Sequence, residues 1–145
     1  MRTIIQRVKE ARVEVAGRVT GSIGAGMLAL LGIAKTDTRA QADYLVDKLL
    51  HLRIFPDAAG RFNRSLLETG GGLLVVSQFT LLADCSKGRR PSFDLAAEPA
   101  MARDLYEYFI ERAREYLPVE TGEFRHMMDV HLINDGPVTL LCEGE

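Results

Sequence analysis

Val75-Val76-Ser77-Gln78-Phe79-Thr80-Leu81 ends an apolar run that starts at Leu73 and follows the glycine cluster Gly70, Gly71, Gly72. Its β-branched residues and unbroken apolar character predict a strand buried on both faces. The polarity then changes abruptly. Ser77, Gln78 and Thr80 place two hydroxyls and an amide at the strand's end, interleaved with an aromatic. Polar groups there must be satisfied internally or face a ligand. A strand end is also stiff enough to hold reacting groups in register. The competing reading is a strand running out into a loop, its hydroxyls satisfying local backbone.

Outward from that stretch, the flanks read as β structure and two helices. Thr3 to Val8 is an expected first strand. Val13-Glu14-Val15 turns at Ala16-Gly17 into Arg18-Val19-Thr20, a hairpin pattern. Gly24-Ala25-Gly26 breaks the chain before a buried strand from Met27 to Ile33. Those glycines precede a strand rather than a helix, which argues against a dinucleotide loop. Thr38-Arg39-Ala40-Gln41 fits a capping box. Ala42, Leu45, Val46, Leu49 and Leu50 follow at helical spacing. Asp57-Ala58-Ala59-Gly60 is a turn, and Arg61 to Leu66 is a short strand or loop. Pro99 suits the first turn of a second helix with a stripe of Met101, Leu105, Tyr108, Phe109, Ala113 and Tyr116, ended by Pro118. Val130-His131-Leu132 and Val138-Thr139-Leu140 are strands joined by Asn134-Asp135-Gly136-Pro137, read as a turn whose proline tolerates cis. The class is mixed α/β: one domain over 1–145, with a bent antiparallel β-sheet, barrel-like, and two covering helices.

Composition bounds the function. The 145 residues suit one core, with 47% hydrophobic and 26% charged residues. A net charge of -2 excludes a generally basic coat for nucleic acid, so any RNA contact is local. Two cysteines, Cys85 and Cys142, in a chain of this size point to a reduced, cytoplasmic setting. The first residues lack the apolar core of a signal peptide, and Met27–Ile33 is too short to span a bilayer. No membrane association is expected.

His51, His126 and His131 lack metal-ligand spacing, and no metal or cofactor is expected. Cys85 sits beside Asp84, whose charge disfavours a thiolate. Ser77 and Thr80 have no neighbouring base and no nucleophile elbow around them. Lys87-Gly88-Arg89-Arg90-Pro91-Ser92-Phe93 is a loop with three cations just past the polar strand end. It reads either as a solvated basic loop or as a phosphate contact.

The motifs Ile5-Gln6-Arg7-Val8, Gly21-Ser22-Ile23-Gly24-Ala25-Gly26, Val75 to Leu81, Lys87 to Phe93 and Asn134-Asp135-Gly136-Pro137-Val138-Thr139 run from end to end of the chain. On them the sequence resembles the D-aminoacyl-tRNA deacylases; the pair Ser-Gln-Phe-Thr and Gly-Pro-Val-Thr carries most of the likeness. The resemblance implies a cytoplasmic homodimer that hydrolyses the ester between a D-amino acid and the 3′ end of tRNA without a metal. It implies catalytic Ser77, Gln78 and Thr80. It also implies that Phe79 and Met128 border the substrate. Gly136-Pro137 is implied as a cis dipeptide inserted into the partner's site, and Arg7 as the residue that holds it. Lys87, Arg89 and Arg90 would then touch tRNA, with Arg64 as a further candidate. One departure stands out. Arg125-His126 follows Phe124 where the family carries Gly-Ala.

An aminoacyl ester is already activated, so the main requirement is preorganised donors for the oxyanion, worth roughly 3–4 kcal/mol per strong donor. The N–H groups of Phe79 and Thr80 are candidates. A nucleophilic Thr80 would need a base, so the expected route has the tRNA 2′-hydroxyl assisting water while Thr80 positions groups. Handedness poses a different problem. A side-chain pocket discriminates by about 1–3 kcal/mol per methylene and would narrow the substrate range. A main-chain wall at Gly136-Pro137 that collides with an L-configured Cβ avoids both limits. The alternatives from residues alone are a non-catalytic tRNA- or RNA-binding dimer and a general esterase.

Overall fold

A computed structural model describes residues 1–145. β1 (Arg2–Val15) and β2 (Arg18–Ile23) form the expected hairpin, and Ala16 and Gly17 both take positive φ at its turn, as a two-residue turn matched to strand twist requires. The two short strands read near the N-terminus are one long strand. β3 (Gly26–Gly32) pairs antiparallel with the first half of β1. α1 (Arg39–His51) starts at the Thr38 capping box and buries the five residues expected from its spacing.

β4 (Phe55–Pro56) and β5 (Phe62–Arg64) make a separate two-stranded hairpin around the Asp57–Gly60 turn. A second capping box, Ser65 with Glu68, opens a one-turn helix α2 (Leu66–Thr69); the sequence reading missed it. β6 (Gly72–Ser77) is the central strand, followed by a 3-10 turn over Phe79–Leu82. α3 (Pro99–Arg114), β7 (Val119–Thr121) and β8 (Asp129–Glu143) complete the chain. No helix is long and apolar enough to cross a membrane.

The barrel-like mixed α/β core is as expected, but the sheet is not wholly antiparallel. β6 runs parallel to both β3 and β7. Each parallel step is bridged by a helix, α1 in one crossover and α3 in the other, which is the connection parallel neighbours need. β6 is buried on both faces, and its side chains divide between two cores. Leu73 and Val75 pack under α1 and α3. Leu74 and Val76 face the other way, onto Val8, Ala11, Val13, Val15 and Leu28. β1 joins both cores, Ile5 in the first and Val8, Ala11, Val13 and Val15 in the second, and its pairing with β8 shifts register between Gln6 and Val8 and again between Val8 and Glu10. This bend brings β2 against β7; a Cβ on Gly21 would run into the Thr121 carbonyl.

Two further expectations change. The buried stripe of α3 contains Tyr106 and Ile110, whereas Tyr116 lies exposed beyond the helix. Asn134-Asp135-Gly136-Pro137 does not reverse the chain. β8 continues through it, pairing with β1 on both sides. Asn134 opposes Val8 and Thr139 opposes Gln6, so residues 135–138 bulge out opposite Arg7 alone.

Tyr106 donates its hydroxyl to the Val75 carbonyl at 3.1 Å. Burial, with a smaller push from the Glu107 charge, drives its phenol up to about 12. An unfolded tyrosine titrates near 10, so the fold favours the neutral phenol. That contribution is complete below about pH 10 and is lost as pH rises towards 12, in total about 2–3 kcal/mol. Urea titrations between pH 9 and 12 should show this alkaline loss. Tyr106→Phe should flatten it.

Candidate active site

Ser77 ends β6, and the Gln78 amide still donates to the Leu31 carbonyl at 2.8 Å, extending the parallel ladder by one residue. The chain then coils, with Leu81 N–H donating to Gln78 O and Ala83 N–H to Thr80 O. The N–H groups of Phe79 and Thr80, at the start of that coil, donate to no acceptor within the chain. They are left as a pair of unused donors at the strand end. The Gln78 side-chain amide donates to the Thr80 hydroxyl oxygen. A carboxamide cannot accept the hydroxyl's proton, so the pairing orients Thr80 without activating it as a nucleophile.

Ser77, Gln78 and Phe79 form one lip of a cavity of about 570 Å3. Its walls come from distant elements, including Ile33, Ala97, Ala102, Phe124, Met128 and Val130. Met128 therefore lines the same cavity as the strand end. Thr80 stands exposed just outside the cavity lining. The apolar walls were not legible as a site, because nothing local separates such residues from core. Arg125 and His126 border the same cavity. Arg125 takes φ 62, a left-handed conformation that costs a side-chain-bearing residue about 1 kcal/mol relative to glycine. The His126 imidazole faces the Phe124 carbonyl and the Glu123 carboxylate. It is therefore committed elsewhere than to Thr80. His51 and His131 lie on other elements, and no group of His, Cys, Asp and Glu is arranged to hold a metal.

The basic loop is tied to the strand end. Phe93 meets Phe79 edge to face at 5.1 Å, and Asp84 and Ser92 exchange two backbone hydrogen bonds across the loop's base. The Ser86 hydroxyl and N–H hold the Asp84 carboxyl below its usual range. Lys87, Arg89 and Arg90 are all exposed, and none has a carboxylate partner. Arg64 is different: it donates to the Glu68 carbonyl at the end of α2.

Gly136-Pro137 is a cis peptide on the bulge of β8. Arg7 is 8% exposed and donates through Nε to the Asp135 carbonyl at 2.9 Å. The Asp135 carboxylate lies 3.6 Å from the same nitrogen. Asn134 braces the other flank, accepting from Val138 N–H at 2.7 Å and donating to Val138 O and the Thr139 hydroxyl. Gly136 has φ +144, and a Cβ there would meet Val138 Cγ2 at 2.8 Å and Arg7 at 3.3 Å. The position therefore requires glycine. None of residues 134–138 lines the cavity beside Ser77–Phe79 of the same chain.

Replacing Arg7 by Ala removes two charge-assisted hydrogen bonds and leaves the Ile54 carbonyl, its other acceptor, without a partner. Arg7→Ala should destabilise the chain by about 3 kcal/mol, read from the urea midpoint. Arg7→Lys should recover only part of this, because an ammonium cannot reproduce the fork.

The family model for D-Tyr-tRNA(Tyr) deacylase matches residues 4–143. A D-aminoacyl-tRNA deacylase of Variovorax paradoxus is 58% identical over 141 residues, covering 97% of each chain. A solved structure described as "c-Myc DNA Unwinding Element Binding Protein" superposes with a TM-score of 0.95 at 38% identity, covering 100% of this chain and 99% of that one. Another, described as "Structural Analysis of a probable eukaryotic D-amino acid tRNA deacylase", superposes with a TM-score of 0.87 at 18% identity over 98% of each, a likeness of fold. By the match of that family model over residues 4–143 and of a relative over 97% of its length, the chain belongs to the D-aminoacyl-tRNA deacylase family.

Proposed function

We propose that this chain, a hydrolase of D-aminoacyl-tRNA, rejects L substrates with main chain rather than with a side-chain pocket, at a site built from two copies. The observation that carries this reading is a separation. The free donors and the cavity lie at the end of β6, while the braced Gly136-Pro137 bulge lines no part of that cavity in its own chain. β8 is an edge strand with its outer side unpaired, and it exposes Ile133, Leu140 and Leu141. A two-fold contact along that strand would cover these residues and present each bulge to the partner's strand end. A homodimer is therefore part of the proposal, as is a cytoplasmic location with the translation machinery.

In the reaction, the cavity receives the terminal adenosine, and Phe79 packs beside it. The ester carbonyl lies on the Phe79 and Thr80 N–H groups. Water adds to the carbonyl carbon, assisted by the tRNA 2′-hydroxyl, and the negative oxygen forms against those two donors. The carbon–oxygen bond to the ribose 3′ oxygen then breaks, and that oxygen leaves with a proton. Ser77 and Gln78 orient the substrate, and Thr80 positions groups without forming an acyl-enzyme. No side chain reads the substrate's side chain, so many D-amino acids are accepted. An L-configured Cβ meets the Gly136-Pro137 main chain. Lys87, Arg89 and Arg90 hold phosphates, a contact that carries no sequence information and weakens with salt.

The unpaired cations of that loop favour a second reading, nucleic-acid binding without hydrolysis. The DNA-binding description of the 38%-identical structure points the same way. Incubation with D-tyrosyl-tRNA and L-tyrosyl-tRNA separates the two. D-selective release is expected, and retention without release would support the second reading. Glycyl-tRNA, having no Cβ to collide, should be cleaved measurably; complete resistance would contradict a steric filter. Full activity on a substrate lacking the 2′-hydroxyl, or an acyl adduct trapped on Thr80, would overturn the proposed chemistry. Gly136→Ala should abolish turnover, because its Cβ runs into Val138 and Arg7 and displaces the bulge.

A further inference from the structure

Arg7 is held from two sides, and the second side lies outside the main sheet. Its NH1 donates to the Ile54 carbonyl at 2.6 Å, immediately before β4. Its guanidinium carbon lies 5.2 Å from the centroid of the Phe62 ring, on β5. Phe62 pairs with Pro56 in the β4–β5 hairpin. That hairpin is stiffened from within. The Asp57 carboxylate accepts from Ala59 N–H, Arg61 N–H and the Asn63 side chain, and those hydrogen bonds hold its carboxyl below the usual range. Phe62 is 56% exposed and belongs to neither core. Core packing therefore does not account for an aromatic ring at this position, whereas the guanidinium beneath it does.

We infer that Phe62 is a positioning residue for stereoselection. Its ring face holds the Arg7 guanidinium in the plane that binds Asp135, and through Asp135 it fixes the Gly136-Pro137 bulge. The guanidinium is a rigid planar fork. With NH1 held on Ile54, a change in its plane swings Nε away from Asp135. A cation over an aromatic face is attracted to it electrostatically, and the contact resists that swing. Phe62 touches no reacting atom. The inference rests on the reading that Gly136-Pro137 screens handedness, and it extends that reading to a hairpin with no part in the chemistry.

The test compares Phe62→Leu, Phe62→Tyr and Phe62→Trp in the full-length protein. Leucine keeps apolar bulk and loses the ring face; the other two keep it. Phe62→Leu should lower the ratio of D- to L-tyrosyl-tRNA cleavage roughly two- to fivefold, the factor that corresponds to a partly exposed cation–π contact. Tyr and Trp should keep the wild-type ratio. Two readouts are independent of turnover. In Phe62→Leu the Arg7 Nε proton should lose its ring-current shift, and the Gly136 and Val138 amides should exchange faster. A Phe62→Leu protein with wild-type selectivity and unchanged amide exchange overturns the inference and leaves the handedness reading standing. Full D-selective activity in Gly136→Ala overturns both.

Discussion

The structure turns on one buried cation. Arg7 sits in β1, where its neighbour Ile5 belongs to the helix-covered core and Val8 to the core within the barrel. Burying a charge is costly unless it is hydrogen-bonded. Here the two carbonyls of Ile54 and Asp135 and the Phe62 ring take over from water. The partners lie on two stretches of chain, the β4–β5 hairpin and the bulge of β8, both far from Arg7 in sequence. One side chain therefore fixes the relation between a two-stranded hairpin, the long first strand and a four-residue bulge of the last. Lysine carries the same charge but cannot address two carbonyls in different directions from one rigid plane.

On the proposed reading, the arrangement around that cation separates two tasks. The end of β6 supplies donors and an apolar cavity, and it is positioned by parallel pairing with β3 and by two covering helices. The bulge of β8 supplies an inert stretch of main chain on an unpaired edge. Main chain suits the second task because it presents the same atoms whatever side chain the substrate carries. Its accuracy depends on rigidity. The bracing by Arg7 and Asn134 on either side of Gly136 provides that rigidity from within a single chain.

Much of this was legible in the residues, for reasons that can be named. The apolar run from Leu73 followed by Ser-Gln-Phe-Thr gave a doubly buried strand with a polar end. The capping box at Thr38 and the spacing of Leu45, Val46 and Leu49 gave the first helix. The parallel pairing has no local signature, because pairing direction is set by the connections between strands. The alternation of strand, helix, strand, helix and strand from Gly26 to Thr121 carried the correct answer. The bulge was read as a turn because Asn-Asp-Gly-Pro has turn chemistry; only the pairing of residues on both sides with β1 shows that the strand continues. The walls of the cavity, and the meeting of Phe62 with Arg7, depend on contacts between distant segments, which no local pattern encodes.

The central claim is that the strand end of one copy works with the bulge of another. Mixing two defective chains, one Thr80→Ala and one Gly136→Ala, tests it directly. Each parent dimer lacks, in both of its sites, either the Thr80 hydroxyl that positions groups or the glycine of the main-chain wall. A mixed dimer holds one site with an intact Thr80 from one chain and an intact Gly136 from the other. Random pairing of equal amounts should restore D-selective cleavage to about a quarter of the wild-type level. Activity no greater than that of either parent, with exchange of subunits demonstrated, would contradict the account.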